Sequence, residues 1–313
     1  MKRYLITGVA GFIGSSLARA LLSGGASVRG IDNFSTGRHE NIADLKGLEL
    51  IEGDIVDLDV AKKAVQGVDY ILHQAAVPSV PRSIADPLNS NRANVTGTLC
   101  ILDAARLEGN IKRVVYASSS SAYGDSPTLP KVETMATRPR SPYAVSKLAG
   151  EHYAQVYSAV YALPCVCLRY FNVFGPRQDP NSQYAAVIPK FITSALKGEA
   201  PPVFGDGKQS RDFTYIDNVI EANLKACEAP DVAGEVFNIA CGTRIDLLTL
   251  IDQINEVLGT TVKPKLQQGR PGDVRDSLAD ISKAKKLLGY SAAIDSREGL
   301  RRTITWYKES AAR

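Results

Sequence analysis

Tyr143 and Lys147 stand four residues apart in SPYAVSKLAG, residues 141–150, with small residues between them. On a helix this spacing sets both side chains on one face, with Cβ atoms about 5–6 Å apart. An ammonium so placed favours the phenolate, because a nearby positive charge lowers the pKa of an acid. Read alone, the pair also suits an exposed helix on which the ring lies against the lysine stem. The rest of the chain has to decide.

A second chemical signal is TGVAGFIG, which sets Gly8, Gly11 and Gly14 between a short apolar run and a helix-periodic segment. A dinucleotide pyrophosphate needs a tight turn, close backbone approach and the free N–H groups of a helix start. The spacing is G-x-x-G-x-x-G rather than the commoner G-x-G-x-x-G. Asp32 ends the next apolar run, in GIDN. A carboxylate there accepts hydrogen bonds from the adenosine ribose hydroxyls and repels a 2′-phosphate, which favours NAD over NADP. In FSTGR, Ser35, Thr36 and Gly37 could touch ribose or adenine, and Arg38 leaves an opening for NADP. Asp54 and Ile55 in EGDI, and Gln74, Ala75 and Ala76 in HQAA, close two further apolar runs. Ligands of open parallel sheets lie at such carboxyl ends of strands.

The elements that must position these residues alternate. RYLITG, SVRGID, LELIEGDI, DYILHQAA, IKRVVYASS and PCVCLRYFNVFG read as strands. FIGSSLARALLSGG, DVAKKAVQG, GTLCILDAARLEG and YAVSKLAGEHYAQVYSAVY read as helices between them. This alternation predicts an α/β fold with helices on both faces of a parallel sheet. Beyond about residue 175 turn formers increase, and the segment from 176 to 313 reads mainly as a smaller substrate-facing lobe. DNVIEANLKACEA and EVFNIA, within about 213–240, read as a helix and strand that rejoin the sheet of residues 1–175.

Composition narrows the function. The 313 residues are 44% hydrophobic, and no run of about 18 apolar residues suggests a membrane span. The N-terminus starts a strand without a secretory leader, so a cytoplasmic location is expected. Lys and Arg number 37 against 33 Asp and Glu, without a basic tract, which argues against nucleic-acid binding. Five cysteines without a C-x-x-C pair read as reduced thiols. The dispersed His39, His73 and His152 offer no metal-ligand spacing.

Taken in order, T-G-x-x-G-F-I-G, D-N, G-D-I, H-Q-A-A, S-S-S-x-Y-G, Y-x-x-x-K, R-Y-F-N-V-F-G-P and R-D-F run nearly the whole length. The chain resembles the extended short-chain dehydrogenase/reductases, and within them the NAD-dependent sugar-nucleotide 4-epimerases. The resemblance implies a Rossmann-type doubly wound sheet, NAD held through every turnover, and a UDP-sugar in the C-terminal lobe. It implies that Tyr143 is the catalytic base and that Lys147 holds the nicotinamide ribose. Lys147 and the positive nicotinamide would together lower the tyrosine pKa; an unperturbed phenol near pKa 10 is a poor base at neutral pH. Ser119 matches the catalytic serine that binds the sugar 4-oxygen and relays its proton, with Ser120 and Ser121 shaping the sugar site. Phe12, Ile13, Asn33, Asn94 and Ser118 join the implied cofactor contacts, and Tyr170 and Val173 would border the nicotinamide.

The same resemblance speaks to the reaction and the substrate. Related dehydratases carry an Asp-Glu pair after the catalytic hydroxyl residue, where this chain has Ser120 and Ser121, so epimerisation is expected. Tyr143 would take the 4-hydroxyl proton while hydride moves from C4 to NAD. The 4-keto sugar would turn, and hydride would return to its other face. Asn172, Arg211 and Arg270 match diphosphate contacts, the arginines through their fork of donors. Asp273 matches a uridine-ribose contact, and Val187, Lys190 and Val203 match segments flanking uracil and ribose. Ser277 falls where glucose-restricted epimerases carry a bulky tyrosine, and Ala186 where they often carry asparagine. With Ser79, Val80, Arg82 and Ser83, these resemble the N-acetylhexosamine-preferring members, although Pro78 departs from the glycine or lysine of some relatives. The expectation is 4-epimerisation of UDP-N-acetylglucosamine and UDP-N-acetylgalactosamine, with UDP-glucose and UDP-galactose also accepted. Alternatives are a UDP-glucose 4-epimerase without N-acetyl preference, a uronic-acid epimerase or decarboxylase, and an inactive NAD-binding regulator. The uronic-acid reading is disfavoured because the sequence shows no clear added carboxylate-binding residue. Family members generally dimerise through two helices per subunit, here near residues 96–107 and 143–160.

Overall fold

The computed structural model describes residues 1–180, 187–268 and 274–311. Seven strands form the central sheet: β1 (Arg3–Thr7), β2 (Ser27–Asp32), β3 (Leu48–Glu52), β4 (Tyr70–His73), β5 (Arg113–Ser119), β6 (Cys165–Tyr170) and the Val236–Ile239 strand. Their spatial order is Val236–Ile239, β6, β5, β4, β1, β2, β3. Every neighbouring pair is parallel. Such a sheet is covered on both faces, which is why its strands read as continuous apolar runs. Along β1, Tyr4 and Ile6 enter one core while Leu5 enters the other, as the two-residue period of a strand requires. The first core takes Leu17 and Ala18 of α1 (Phe12–Ser23) and Val219 of the Ile216–Glu228 helix. The second takes Ala61, Ile101 and Tyr157 from the helices Leu58–Val65, Gly97–Glu108 and Pro142–Tyr161.

The chain order reverses between β1 and β4, and their carboxyl ends meet at Thr7 and His73. Crevices at such reversals are where open α/β sheets bind ligands. The Ile216–Glu228 helix and Val236–Ile239 strand do return to this sheet. The outer part of the chain holds smaller pieces: Pro202–Phe204 pairs with Lys265–Gln267, and Ser210–Arg211 with Ile245–Asp246. Helices Val187–Leu196 and Leu247–Leu258 pack beside them.

Two features differ from the sequence reading. PCVCLRYFNVFG is not one strand. Asn172 adopts φ 35°, and Val173–Phe174 leaves the main sheet to pair with Thr214–Tyr215. The Asn172 amide donates to Asp212 O at 2.9 Å and to Ser277 Oγ at 3.1 Å, contacts that hold the break. Between β4 and the Gly97–Glu108 helix, two short helices, Val80–Ala85 and Pro87–Asn91, lead into a π-helical turn at Arg92–Thr96. Each short helix has proline in its first turn and a side-chain cap, Ser79 or Asp86. Among the described residues no helix is long and apolar enough to cross a membrane.

Candidate active site

The glycine turn forms the floor of the first cleft. Gly8 has φ +67°, and a Cβ there would stand 2.8 Å from Ala75 Cα. A Cβ on Gly14 would lie 2.1 Å from Gly8 O. The turn therefore packs backbone to backbone, and α1 begins at Gly11 with no side-chain cap and no acid in its first turn. Its free N–H groups and the positive end of the helix dipole suit an anion. Asp32 closes β2 with Oδ2 accepting from Ala10 N at 2.8 Å and Oδ1 from Phe34 N at 2.9 Å. Burial raises its pKa, opposed by these backbone hydrogen bonds. A Cβ on Gly37 would sit 2.8 Å from Asp32 Oδ1, so this loop needs glycine to lie against the carboxylate. The cleft measures about 430 Å³. All the expected cofactor residues line it except Asn94 and Val173.

Asn94 has another task. Its Oδ1 accepts from Val77 N at 2.7 Å, and its Nδ2 donates to Val77 O and to Ser146 Oγ. It belongs to a directed chain of hydrogen bonds beneath the cleft. Ala75 N donates to Thr7 Oγ1 at 3.1 Å, and Thr98 Oγ1 donates to Asn94 O at 2.6 Å. Between the two hydroxyls lies His73, with Nδ1 2.6 Å from Thr7 Oγ1 and Nε2 2.9 Å from Thr98 Oγ1. The Thr98 hydrogen is already engaged, so Nε2 must be the donor to Thr98. Burial, aided by the Lys147 charge, lowers the His73 pKa to about 3. A neutral ring protonated at Nε2 leaves Nδ1 to accept from Thr7. The chain ties the glycine turn to Ser146, whose Oγ donates to Tyr143 O at 2.8 Å.

The expected catalytic trio, Ser119, Tyr143 and Lys147, comes from two elements. Ser119 ends β5, and its Oγ accepts from Ser121 N at 3.2 Å and Ser121 Oγ at 2.8 Å while also bonding the Tyr143 phenol. The Pro142–Tyr161 helix is capped by Ser141, whose Oγ accepts from Ala144 N at 3.1 Å. A Cβ on Gly150 would lie 2.2 Å from Tyr116 OH, so glycine lets this helix press onto the sheet. Lys147 is thereby buried, with Nζ donating to Ala117 O at 2.8 Å. Burial lowers its pKa to about 8. The Tyr143 pKa is raised by burial, against the Ser119 hydrogen bond. In the protein alone, removal from water therefore outweighs the Ser119 hydrogen bond. Beneath Ser119, Ser118 Oγ donates to Glu151 at 2.7 Å, and Glu151 pairs with the buried Arg169 at 2.6 Å.

Two further cavities continue from Tyr143. The nearer, about 340 Å³, is lined by Ser119, Ser120, Ser121, Tyr143, Asn172, Val173, Arg211, Ser277 and Val80. Ser277 Oγ faces Asn172 Nδ2 and also accepts from Asp212 N at 3.3 Å. The buried Asp212 carboxylate accepts from Cys241 N, Gly242 N and Ala279 N. Burial pushes its pKa up to about 7 against those three bonds. The farther cavity, about 250 Å³, is lined by Val187 and Lys190 and shares Arg211 and Asn172 with the nearer one. A molecule reaching from Tyr143 to the farther cavity therefore passes Arg211.

Some expected substrate residues lie elsewhere. Val203 is fully buried, and the strand period gives the farther cavity its neighbours Pro202 and Phe204 instead. Ser83 is buried, its Oγ donating to Val80 O. Ser79 and Arg82 line the dinucleotide cleft rather than the nearer cavity, whereas Val173 lines both outer cavities but not the cleft. Ala186, Arg270 and Asp273 lie outside the described residues. Residues missed from sequence include Gln178 and Asp179 on the cleft, Gly124, Lys131, Arg140 and Asp276 on the nearer cavity, and Gln209 and Phe213 on the farther one. Alternation in PPVF could have singled out Phe204; the others come from segments remote in sequence. Among the described residues no group of three or more His, Cys, Asp or Glu side chains could hold a metal ion.

A doubly wound sheet with a glycine cradle and a Tyr-Lys-Ser trio defines a dinucleotide-dependent enzyme of the Rossmann class. Residues 4–240 match the NAD dependent epimerase/dehydratase family, and the chain belongs to it. A curated UDP-glucose 4-epimerase from Mycolicibacterium smegmatis is 37% identical, with 99% of each chain covered. Among solved structures, a UDP-N-acetylglucosamine 4-epimerase from Methanobrevibacter ruminantium in complex with UDP-N-acetylmuramic acid is 41% identical. Its TM-score is 0.94, with 99% of each chain covered. A UDP-glucuronic acid 4-epimerase from Bacillus cereus, solved with UDP-glucuronic acid and NAD, is 34% identical with TM-score 0.91, covering 98% of this chain and 99% of that one. The activity is that of an NAD-dependent UDP-sugar 4-epimerase, an isomerase. The cradle at Gly8 and Gly14, which any Cβ would fill, and the Asp32 carboxylate fit NAD.

Proposed function

We propose that the chain interconverts UDP-N-acetylglucosamine and UDP-N-acetylgalactosamine, and also UDP-glucose and UDP-galactose. The observation that carries the N-acetyl preference is Ser277 on the wall of the sugar cavity. Its hydroxyl is turned to Asn172 and Asp212, and its small side chain leaves room for a 2-substituent. The 41% identical relative named as a UDP-N-acetylglucosamine 4-epimerase supports this reading.

This reading assigns the residue roles. Bound NAD supplies the hydride acceptor and donor and is regenerated in each turnover. Gly8, Gly11 and Gly14 hold its pyrophosphate and Asp32 its adenosine ribose. Tyr143 takes the proton from the sugar 4-hydroxyl, directly or through Ser119, and returns it to the 4-epimer. Burial opposes the phenolate, so the base works only with positive charge beside it. Lys147, which would hold the nicotinamide ribose, and the cationic cofactor would be that charge. Ser120 and Ser121 supply no acid to expel water, which keeps the reaction at epimerisation. Arg211 holds the diphosphate between the sugar cavity and the uracil cavity at Val187 and Lys190. The sheet with its returning segment 213–240 serves the cofactor and the remainder serves the UDP-sugar. Leu107, Val145, Tyr153, Val156 and Val160 are exposed on the Gly97–Glu108 and Pro142–Tyr161 helices, which suits a homodimer through a four-helix contact. A monomeric mass in solution would contradict that.

The test is turnover of UDP-N-acetylglucosamine and UDP-glucose side by side without added NAD, followed by anomeric proton NMR. Faster conversion of the N-acetyl sugar is expected. Conversion of UDP-glucose alone would leave an epimerase without the N-acetyl preference. Tyr143→Phe should lower turnover at least about a hundredfold while NAD stays bound.

A further inference from the structure

Tyr170 stands where the dinucleotide cleft meets the sugar cavity, and it lines both. Tyr143 is shared by the two spaces as well, so this is the end of the cleft where hydride would pass between cofactor and sugar. Tyr170 ends β6, and its ring enters the core on the face that the Ile216–Glu228 helix covers. Gln74, just past the end of β4, also lines the cleft. Asn223, on the Ile216–Glu228 helix, is fully buried and lines neither space. Its amide joins the other two side chains. Asn223 Nδ2 donates to Tyr170 OH at 2.8 Å, and Gln74 Nε2 donates to Asn223 Oδ1 at 3.2 Å. The phenol hydrogen has two acceptors in reach, Asn223 Oδ1 at 3.1 Å and Gln74 Oε1 at 3.4 Å. The first already takes the Gln74 hydrogen, and donation to the second closes a head-to-tail ring. The other Asn223 N–H goes to Val219 O at 2.7 Å, one helical turn back, which fixes the amide plane.

We propose that Asn223 is a positioning residue that locks Tyr170 and Gln74, and through them the wall against which the nicotinamide end of the cofactor rests. The inference rests on the epimerase reading and adds to it a residue that touches neither cofactor nor sugar. Three observations support it. First, the ring lies in an otherwise apolar core, beside Val219 and Ala222 of the same helix. Burying two amides and a phenol costs free energy that apolar side chains of the same size would not, and a fully satisfied ring returns orientation in exchange. Second, burial raises the Tyr170 pKa, against its bonds to Asn223 and Gln74. The phenol therefore stays protonated and serves as a fixed wall, not as a second base beside Tyr143. Third, the helix that carries Asn223 begins directly after Thr214–Tyr215, the strand that holds Val173–Phe174 beyond the break at Asn172. One rigid element thus sets Tyr170 relative to the cleft and to the sugar cavity together.

The experiment uses the NAD-loaded wild-type enzyme, its Asn223→Leu and Tyr170→Phe variants, and the double variant. Leucine keeps the volume and phenylalanine keeps the ring, so each removes hydrogen bonds with little loss of packing. Urea unfolding sets conditions under which all four proteins are folded. Release of NAD into nucleotide-free buffer is then timed, and kcat and KM are measured for UDP-glucose and UDP-N-acetylglucosamine. Each single variant should release NAD about tenfold faster. Its kcat should fall about ten- to a hundredfold, as displacement of a reacting group by about 1 Å does, while KM changes less than about threefold. The double variant should be no worse than the poorer single one, because both act on one ring. Wild-type NAD release and kcat in either single variant overturn the inference, and so do losses that add in the double variant. If wild type converts neither sugar, the epimerase reading fails, and the comparison of NAD release still decides for or against Asn223.

Discussion

His73 offers the sharpest test of the hydrogen-bonded chain beneath the cleft. Its folded pKa lies near 3 against 6.5 for a free imidazole, chiefly because the ring is buried. The unfolded chain therefore takes the proton first. Between these two values the unfolded state binds more protons, so stability rises with pH, and it is lost as pH falls from 6.5 toward 3. The slope for one proton is about 1.4 kcal/mol per pH unit. From pH 6.5 to 4 the loss is about 3 kcal/mol. Asp212 acts in the opposite sense: its carboxyl, raised from 3.8 to about 7, contributes stability that is lost as pH rises through the same range. The wild-type curve alone would blend the two, so the measurement is a difference. Urea unfolding of wild type and His73→Gln at a series of pH values cancels Asp212. The difference should be constant above pH 7 and fall at the stated slope below 6.5. A difference flat from pH 6.5 to 4, or a His73 ring that titrates near pH 6 in the folded protein by NMR, would refute the reasoning. The same spectra should show the proton on Nε2, because the Thr98 hydroxyl hydrogen is already given to Asn94 O.

Three substitutions probe the cleft and cavities. Gly8→Ala places a Cβ 2.8 Å from Ala75 Cα at φ +67°; a loss of about 1–3 kcal/mol is expected, with NAD absent from the purified protein when released nucleotide is assayed. Ser277→Tyr should fill the sugar cavity and lower kcat/KM for UDP-N-acetylglucosamine at least about tenfold more than for UDP-glucose; an equal drop for both would remove Ser277 from the specificity argument. Asp212→Asn sets an NH2 against the backbone N–H of Cys241 or against those of Gly242 and Ala279, and chemical denaturation should report a loss of about 2–4 kcal/mol.

Much of the fold was legible because its signals are local. The apolar runs of β1, β2, β4, β5 and β6 and the helical periods between them need no knowledge of distant partners. The glycine spacing, Asp32 and the Tyr143–Lys147 pair were equally readable, since each is set by a turn, a strand end or one helical turn. The break at Asn172 was not, because it is held by Asp212 and Ser277, residues 40 and 105 positions away. Asn94 could be read only as a cofactor contact until Val77 and Ser146 were seen to occupy its amide. Val203 came from the resemblance of a whole segment, which does not say which residues of a short strand face the cavity; the structure buries Val203 and turns Pro202 and Phe204 to it.

By itself the sequence determined the class of sheet, the glycine turn and the pairing of Tyr143 with Lys147 on one helix face, since residue type and short-range spacing encode them. Tertiary structure decided the rest. It took the Tyr143 phenol out of water, which raises its pKa in the protein alone, because burial is a property of the packed whole. It chose the His73 tautomer, because two threonines from separate elements share one ring. It also set Arg140 beside the sugar cavity through the left-handed turn at Gly124. Close approach across the chain depends on how helices settle on a sheet, and no local pattern records it.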